Sequence, residues 1–312
     1  MFQGMEYAYE VYKTKSFSKA AKNLFISQPS LSATIKRIEQ KIGYPIFDRS
    51  TKPLNVTECG EHYIRAVKQI MGIEKDFENY INDHGNLQSG RLTLGGTNLF
   101  SSLILPPLIS RFGQMYPNIK VELIEESTGK LTEHLQNGTL DFVLDNAHLD
   151  PAVFERAVYL KEHLLLAVPK RFSINAELKE YQLSLEQIQD GSYLNSATPI
   201  VGLKKFAQEP FILLKQENDT RERAEKICKE QEFSPNIVLE LDQQTTSYNI
   251  SCSGMGISFI SDTLVNRVPP HPDVVYYKLK EKSTGRDVSF YWKKGRYMSL
   301  AMKKFLEISG AH

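Results

Sequence analysis

A chain of 312 residues with 41% hydrophobic and 24% charged residues has ordinary globular composition, which excludes a disordered or fibrous protein. At about 100 to 200 residues per domain, this length predicts two or three domains, each able to bury a core. The net charge of +1 divides unevenly, because residues 1–70 carry 11 Lys and Arg against 6 Asp and Glu, while residues 71–312 carry 27 against 31. The basic head favours a polyanionic partner, although chance variation of surface charge explains the same asymmetry.

The chain carries no pattern typical of secretion or membrane insertion. Its first residues lack a basic region followed by an apolar core, and the longest apolar stretch, 99–109, is far shorter than the roughly 20 residues of a membrane span. We therefore expect a cytoplasmic protein. Three widely spaced cysteines, Cys59, Cys228 and Cys252, argue against a disulfide framework or a zinc site and predict reduced thiols. A redox switch between Cys228 and Cys252 is the alternative to buried, inert thiols.

The first motif in chain order is a pair of short helices between residues 18 and 43. Ser18 is suited to cap the first helix, in which Ala20, Ala21, Leu24 and Phe25 form an apolar stripe. The two alanines are small enough to let another helix approach closely.

The second helix is predicted to begin after a Ser27 cap and to end at Gly43, with Pro29 in its first turn, where an N–H has no intrahelical partner. Steps of four, three and four residues place four apolar side chains on one side: Leu31, Ile35, Ile38 and Ile42. The opposite side carries small, cationic and hydrogen-bonding residues: Pro29, Ser32, Ala33, Lys36, Arg37 and Gln40. That mixture suits a DNA major groove, although a solvated amphipathic helix looks similar.

A short two-stranded wing is predicted to follow, from residues 44–50 into residues 51–57. Arg49 and Lys52 are expected to be exposed there and to touch the DNA backbone. Such contacts add affinity that falls with salt but carry little sequence information.

The N-terminal motifs occur in a dense order: Ser16-Phe17-Ser18, Ala20-Ala21, Ser27-Gln28-Pro29-Ser30-Leu31-Ser32, Ile35, Ile38-Glu39, Gly43, Phe47-Asp48-Arg49 and Leu54-Asn55-Val56-Thr57-Glu58. Through them residues 5–61 resemble the winged helix-turn-helix of the LysR-type transcriptional regulators. The resemblance implies that Gln28, Pro29 and Ser32 lie against base edges. The complete predicted DNA-binding set is Ser27, Gln28, Pro29, Ser30, Ser32, Ala33, Lys36, Arg37, Arg49 and Lys52.

Two residues depart from the family pattern. Ala33 stands where such proteins often have Arg, and it offers only a methyl group, suited to the methyl of a thymine. Lys15 stands where a glycine is often found. The first departure bears on the operator sequence that this chain reads.

A long helix is predicted from residue 58 to about residue 83, capped by Thr57 and ended by the segment His84-Gly85-Asn86. Five apolar residues fall on one seam, interrupted by Glu74: Tyr63, Val67, Ile70, Phe77 and Ile81. A seam this narrow suits pairing with a second copy, and packing against the chain's own body is the alternative. The resemblance favours pairing, since these regulators dimerise through the corresponding helix and often form tetramers.

Strands and helices alternate from residue 90 onward. Strands are predicted at 91–95, 119–124, 140–144, 163–168, 211–214, 236–241 and 256–261. With helices between most of them, this order predicts an α/β body with mainly parallel sheets. Ligands in such sheets bind beyond the carboxyl ends of the strands, where strand order reverses.

The family resemblance extends through this body. It rests on Gly90-Arg91-Leu92, Leu105-Pro106-Pro107-Leu108, Tyr116-Pro117, Leu135-Gln136-Asn137-Gly138, Leu140-Asp141, Glu209-Pro210-Phe211-Ile212 and Gly254-Met255-Gly256-Ile257. The implied fold is a pair of periplasmic-binding-protein-like α/β subdomains, with crossings near 164–168 and near Val268. The predicted domains are a winged helix-turn-helix at 1–61, a linker and dimerisation helix at 58–86, and an effector domain at 90–300. Within that domain, subdomain I spans about 90–165 and 268–300, and subdomain II about 166–267.

The resemblance places an effector cleft between the subdomains. Its predicted residues are Thr97, Asn98, Ser101, Ser102, Asn146, Gln216, Glu217, Asn218, Asp219, Thr220, Gln243, Gln244, Thr245 and Thr246. Several precede predicted helices, where free N–H groups favour an anion such as a carboxylate. The alternative is that Ser101, Asp219 and Asp242 are only helix caps. If Glu217 and Asp219 face the cleft, a ligand that also carries an amine, such as an amino acid, is favoured.

An enzyme on the same fold is the main competing interpretation. The sequence contains no phosphate loop, no G-x-S-x-G elbow, no H-E-x-x-H and no paired cysteine ligands, so no catalytic residue, metal or cofactor is predicted. A transport-type solute-binding protein would share the body but would lack the helix-turn-helix and need a signal peptide. We therefore expect a DNA-binding regulator, controlled by a small molecule and assembled as a dimer or tetramer.

Overall fold

A computed structural model describes residues 1–51, 53–83, 90–216, 218–279 and 285–312. The N-terminal part contains the helices α1 (Met5–Thr14), α2 (Phe17–Asn23), α3 (Gln28–Ile42) and α4 (Glu58–Asp83) and the strands β1 (Phe47–Asp48) and β2 (Asn55–Val56). The two strands pair antiparallel and form the predicted wing. Among the described residues, no helix combines the length and the apolarity that crossing a bilayer requires.

Helix α3 forms as its sequence predicts. The Ser27 hydroxyl accepts a hydrogen bond from the Ser30 N–H, Pro29 lies in the first turn, and Gly43 ends the helix at φ 86°. Leu31, Ile35 and Ile38 are buried in one core with residues of α1, α2 and α4. The other side of α3 is therefore left outside the core.

The predicted cap of α2 was wrong by two residues. Helix α2 begins at Phe17, and the residue before it, Ser16, is extended and accepts a hydrogen bond from the Lys19 N–H. Ser18 lies inside the helix, where its hydroxyl is free to donate to Gln28 Oε1 at 2.9 Å. The cap falls earlier because Lys15 adopts a left-handed conformation that ends α1 just before it.

Phe25 closes α2 in an unusual way. The Ile26 N–H donates to the Ala21 carbonyl and the Phe25 N–H to the Lys22 carbonyl, the bonding pattern of a Schellman helix end. Phe25 occupies the left-handed position at φ 55°, which glycine normally fills, and its side chain is 95% exposed. This turn therefore carries a local backbone cost with no packing to offset it.

Helix α4 spans 26 residues, and its two halves lie in different environments. The Thr57 hydroxyl caps it by accepting from the Gly60 N–H. Tyr63 and Val67, predicted as part of a single seam, are instead buried in the core around α3. Farther along, four large apolar side chains are exposed: Ile73, Phe77, Tyr80 and Ile81. The predicted end at His84-Gly85-Asn86 lies outside the described residues.

Polar contacts join α4 to the body that follows. Lys68 Nζ donates to Glu133 Oε1 at 2.8 Å, and Lys75 Nζ lies 3.0 Å from Asp141 Oδ2. Near the end of the helix, the Tyr297 hydroxyl donates to Asp83 Oδ2 at 2.8 Å. At these contacts α4 is docked on its own chain.

The body contains eleven strands and eight α-helices among the described residues. The strands are β3 (Gly90–Gly96), β4 (Ile119–Glu125), β5 (Phe142–Asp145), β6 (Phe154–Glu162), β7 (Leu164–Pro169), β8 (Gln182–Leu183), β9 (Pro210–Leu214), β10 (Asn236–Leu241), β11 (Ile257–Ser261), β12 (Val274–Lys278) and β13 (Arg286–Lys293). The helices are α5 (Leu105–Met115), α6 (Thr128–Gln136), α7 (Ile174–Glu177), α8 (Leu185–Gln189), α9 (Asp219–Glu230), α10 (Gln244–Cys252), α11 (Asp262–Val265) and α12 (Leu300–Ser309).

These strands form two sheets, in the orders β4-β3-β5-β13-β6 and β10-β9-β11-β7-β12-β8. The predicted mainly parallel arrangement was wrong, because both sheets are mixed. Strands β3, β4 and β5 are parallel and so are β9, β10 and β11, but β13 joins its sheet antiparallel on both sides, as does β7.

The chain passes between the sheets twice. It first crosses at His163, between β6 and β7. The return, expected near Val268, occurs later, because β12 pairs with β7 from Val274 to Lys278 and so still belongs to the second sheet. The chain rejoins the first sheet at Arg286, the first residue of β13.

Replacing Phe25 with glycine should stabilise the N-terminal domain. Glycine adopts the left-handed conformation without the penalty of about 1 kcal/mol that other residues pay, and the exposed ring has no packing to lose. We expect F25G to raise the free energy of unfolding by up to about 1 kcal/mol, measured by urea titration and by amide hydrogen exchange in α2 and α3. F25A removes the same ring but keeps a Cβ and should give no such gain. A lower stability of F25G than of F25A would contradict this account.

Candidate nucleic-acid interface and effector cleft

The predicted DNA-binding residues of α3 lie on its outer side. Those found exposed are Ser27, Gln28, Pro29, Ser30, Ala33, Lys36 and Arg37, and Ser32 is half-buried beside them. Their common exposure follows from the burial of Leu31, Ile35 and Ile38 on the opposite side. Hydroxyl, amide, methyl and cationic groups thus form one continuous surface. These are the groups that contact base edges and phosphates.

Two side chains on this surface are held by neighbours. The Ser18 hydroxyl donates to Gln28 Oε1 at 2.9 Å, which leaves the amide NH₂ of Gln28 as a donor. Arg37 Nη2 donates to Thr34 Oγ1 at 3.1 Å, within the same helix. Gln28 is therefore oriented before any partner binds.

The wing is fastened to α3 by Glu39. Its Oε1 accepts hydrogen bonds from the Ile46 and Phe47 N–H groups at 2.9 and 3.3 Å. Its Oε2 accepts from Arg49 Nη2 at 2.9 Å, and the Arg49 guanidinium lies 5.2 Å from the Phe17 ring centroid. Arg49, predicted to be exposed and to touch the DNA backbone, is exposed and is paired with Glu39. Lys52, the other predicted wing contact, lies outside the described residues.

The effector cleft has a volume of about 650 Å³. Its walls combine the loop after β3, the start of α6, the end of β5 and, from the second sheet, the segments that precede α9 and α10. Predicted residues on these walls are Thr97, Asn98, Asn146, Gln216, Asn218, Asp219, Thr220, Gln243 and Gln244. The N-termini of α6, α9 and α10 also border the cleft, and their free N–H groups favour an anion.

Other predicted cleft residues lie elsewhere. The Ser101 side chain is buried, and its hydroxyl donates to the Gly96 carbonyl at 2.8 Å. Ser102 is exposed and, like Ser101, is not on the described wall. Thr245 lies at the rim, where its hydroxyl donates to Asn98 Oδ1 at 3.0 Å and joins the two walls. Thr246 is exposed on α10, off the described wall, and Glu217 lies outside the described residues.

The helix-cap alternative does not account for the acidic residues. Asn218, not Asp219, caps α9, because its side chain accepts from the Thr220 N–H. Asp242 precedes the cap position of α10 and pairs with Lys215 at 2.9 Å. Both carboxylates instead take part in ion pairs on the cleft wall.

The deepest carboxylate on the wall is that of Asp145, at the end of β5. It accepts hydrogen bonds from the Asn146 and Ala147 N–H groups and from the Thr128 hydroxyl. Burial raises the pKa of Asp145 above its usual value, and these hydrogen bonds oppose that rise. Asp145 joins β5 to the first turn of α6 and so shapes the floor of the cleft.

Arg286 connects the walls of the cleft. Its Nε donates to Glu162 Oε1, its Nη1 forms an ion pair with Asp219, and its Nη2 lies 3.3 Å from Thr220 Oγ1. Glu162 Oε1 also accepts from Asn146 Nδ2 at 2.9 Å. One guanidinium thus contacts residues of both walls.

Sequence reasoning missed Arg286, Glu162, Asp145 and Thr128. Arg286 opens a strand that the strand pattern did not reveal, and it is 124 residues from Glu162 in the chain. The only local signal was Asp145, an acidic residue at the end of a buried apolar run. Within the described parts of the chain, no group of three or more His, Cys, Asp and Glu side chains is arranged to hold a metal ion. The described cysteines, Cys59, Cys228 and Cys252, are free thiols.

The chain resembles known proteins along its full length. Residues 2–61 match the family model described as a bacterial regulatory helix-turn-helix protein of the lysR family, and residues 85–312 match the LysR substrate binding domain. A relative from Bacillus subtilis (strain 168), the uncharacterized HTH-type transcriptional regulator YcgK, is 28% identical over 98% of this chain and 92% of its own.

Two solved structures share the fold at lower sequence identity. A full-length OxyR variant from Pseudomonas aeruginosa is 19% identical, with a TM-score of 0.68 over 97% of this chain and 94% of that one. Full-length CbnR in complex with its target DNA is 17% identical, with a TM-score of 0.66 over 99% of both chains. At these identities the likeness establishes the fold.

Replacing Glu39 with alanine should loosen the wing. The change leaves the Ile46 and Phe47 N–H groups without their acceptor, which costs about 1–3 kcal/mol of stability. E39Q keeps one acceptor oxygen and should lose less. Urea unfolding of the full chain measures both effects, and E61A, an exposed glutamate on α4, is the matched control. Equal stabilities of E39A and E61A would contradict the role assigned to Glu39.

Proposed function

The chain belongs to the LysR family of bacterial transcriptional regulators, and from that premise we propose that it reads DNA through α3 and the wing of two or more copies. It is a DNA-binding regulator with an effector-binding domain. In this proposal the helix-turn-helix units of a dimer or tetramer grip an interrupted palindrome. An effector in the cleft then changes the spacing or angle between these units. To do so, the effector must bind one assembly geometry more tightly than the other.

The observation that carries the DNA-reading proposal is the common exposure of the outer side of α3. Gln28, Pro29 and Ser32 are assigned to base edges, with Ser27, Ser30 and Ala33 alongside them. Lys36, Arg37, Arg49 and Lys52 are assigned to phosphates. Because Arg49 is paired with Glu39, it must bind a phosphate either while keeping that ion pair or after giving it up.

The dimerisation proposal rests on the second half of α4. Ile73, Phe77 and Ile81 recur every four residues, which places them on one side of the helix, and Tyr80 extends the patch. Side chains this large and this exposed on one stripe are typical of a surface that is covered by a partner. We assign the partner as α4 of a second copy.

The effector is proposed to be a small carboxylate or an amino acid. Three helix N-termini and Arg286 favour a negative group in the cleft. The acidic residues on the same wall suit an amine on the same molecule. We propose a cytoplasmic location and no catalytic activity, since the assigned partners are DNA and a bound effector.

Substitutions on α3 should separate sequence reading from phosphate binding. We expect Q28A and S32A to weaken binding to the operator by about 1–3 kcal/mol each and to leave non-specific binding nearly unchanged. K36A should weaken binding to every sequence and reduce the slope of log affinity against log salt by about one. R49A and K52A should behave as K36A does.

The measurement is a fluorescence-anisotropy titration of operator and scrambled duplexes over a range of salt concentrations. K204A, an exposed lysine on the effector body that pairs with Glu232, is the matched control and should bind as the unmodified chain does. Operator binding unchanged in all five α3 and wing variants would contradict the assignment of α3 and the wing.

The exposed stripe of α4 should determine self-association. We expect the double variant F77E/I81E to weaken the dimer at least tenfold, because two carboxylates would be buried in an apolar contact. Sedimentation velocity over a concentration series measures the change. I200E, which places a carboxylate at an exposed isoleucine elsewhere, should leave the dimer intact. Equal effects of the two variants would remove the assignment of α4 as the contact.

A further inference from the structure

The contacts of Arg286 divide into a buried half and an open half. Its own side chain is 10% exposed and that of Glu162 is fully buried, whereas that of Asp219 is 40% exposed. Glu162 and Arg286 both belong to strands of the first sheet, and Asp219 is the first residue of α9, which packs on the second. The pair of Arg286 and Asp219 is therefore an ion pair between the two walls of the cleft.

The two carboxylates differ in how easily they can leave. Moving Arg286 away from Glu162 would leave the buried Glu162 carboxylate without its positive partner and without access to water, which is strongly unfavourable. Asp219 faces the cleft, where water can solvate it, and it lies in the first turn of α9, where the helix dipole favours a negative charge. Of the two partners, Asp219 is the one that a competing anion can displace.

If the Arg286 guanidinium turns partly toward a ligand, other groups still compensate the negative charge of Glu162. Asn146 Nδ2 already donates to Glu162 Oε1 at 2.9 Å. Burial lowers the pKa of Arg223, on α9, and the negative charge of Glu162 opposes that lowering, so Arg223 is a second positive charge that interacts with Glu162. Both terminal nitrogens of Arg223 are buried without a hydrogen-bond partner in the described structure.

We propose that Arg286 is the anion receptor of the effector cleft and that Asp219 occupies it in the absence of effector. A ligand carboxylate then binds the Arg286 guanidinium by displacing Asp219. The ligand class is a small organic carboxylate, since a planar guanidinium matches a planar carboxylate with two parallel hydrogen bonds. This inference rests on the proposed effector role of the cleft and deepens it.

Replacing Asp219 by a ligand carboxylate at Arg286 changes the contacts that join the two walls of the cleft. With Asp219 bound, Arg286 ties α9 to the first sheet, and Thr245 ties α10 to Asn98. With a ligand carboxylate in place of Asp219, the ion pair between Arg286 and α9 is lost, and the contact of Arg286 Nη2 with Thr220 remains. Asp219 therefore lowers the affinity for carboxylates and sets the ligand concentration at which the two walls change their connection.

The test is isothermal titration calorimetry of the full chain at constant ionic strength. The ligands are acetate, succinate, benzoate and glutamate, which separate simple carboxylates from an amino acid. D219N removes the competing charge and keeps the size of the side chain. We expect it to bind at least one of these ligands at least tenfold more tightly than the unmodified chain. D287N, which removes the neighbouring carboxylate that pairs with Arg156, should change the affinity less than twofold.

Arg286 is tested by a double-mutant cycle. R286K keeps the positive charge but loses the two parallel donors of the guanidinium, so it should weaken ligand binding at least tenfold. The gain in ligand affinity from D219N should vanish in the double variant D219N/R286K. Equal ligand affinities of D219N and the unmodified chain would contradict the proposed competition between Asp219 and the ligand, and so would tighter ligand binding by D287N. An unchanged ligand affinity of R286K would leave the cleft as the effector site but overturn the assignment of Arg286 as its anion receptor. Absence of binding by all four ligands to D219N would overturn the inference and leave the DNA-reading proposal intact.

Discussion

The amphipathic pattern of α3 is the constraint on which the rest of the protein depends. A helix that buries Leu31, Ile35 and Ile38 must turn Gln28, Pro29 and Lys36 outward. The core that receives the buried side also contains Tyr63 and Val67 of α4, so the direction of the surface that we propose faces DNA is tied to the linker helix. The Glu39 carboxylate extends the same tie to the wing. One packing solution thus sets the recognition surface and its link to the body.

Helix α4 carries that orientation to the effector domain through contacts that leave little freedom. Gly72 approaches the Asn137 carbonyl so closely that an added Cβ would lie 2.7 Å from it. Lys75, Asp141 and Arg296 form a buried ion-pair cluster beside this contact, with Arg296 Nη2 2.9 Å from Asp141 Oδ1. Charges held in this way are costly to separate. We therefore expect a movement of the first sheet to move α4 with it.

Local features were predictable and long-range ones were not. The bounds of α3 and α4 follow from Ser27, Gly43 and Thr57, whose capping roles depend only on near neighbours. The cap of α2 could not be chosen between Ser16 and Ser18 without knowing that Lys15 ends α1 in a left-handed conformation. Strands β6 and β13 were not predicted because charged residues interrupt their apolar runs, and β12 was not predicted although it begins with four apolar residues. The contacts of Arg286 with Glu162 and Asp219 join residues far apart in the chain, which no local pattern reveals, so the cleft loops were predicted but Arg286 was not.

The most direct test of the central claim is site-specific photocrosslinking at Ala33, in the middle of the exposed side of α3. A photoreactive amino acid at this position, irradiated with duplex DNA from the region upstream of the chain's own gene, should crosslink to bases in two major grooves about one or more helical turns apart. The same residue at Ile200, on the effector body, should give no crosslink. Crosslinking at position 200 but not at position 33 would contradict the claim that α3 reads DNA.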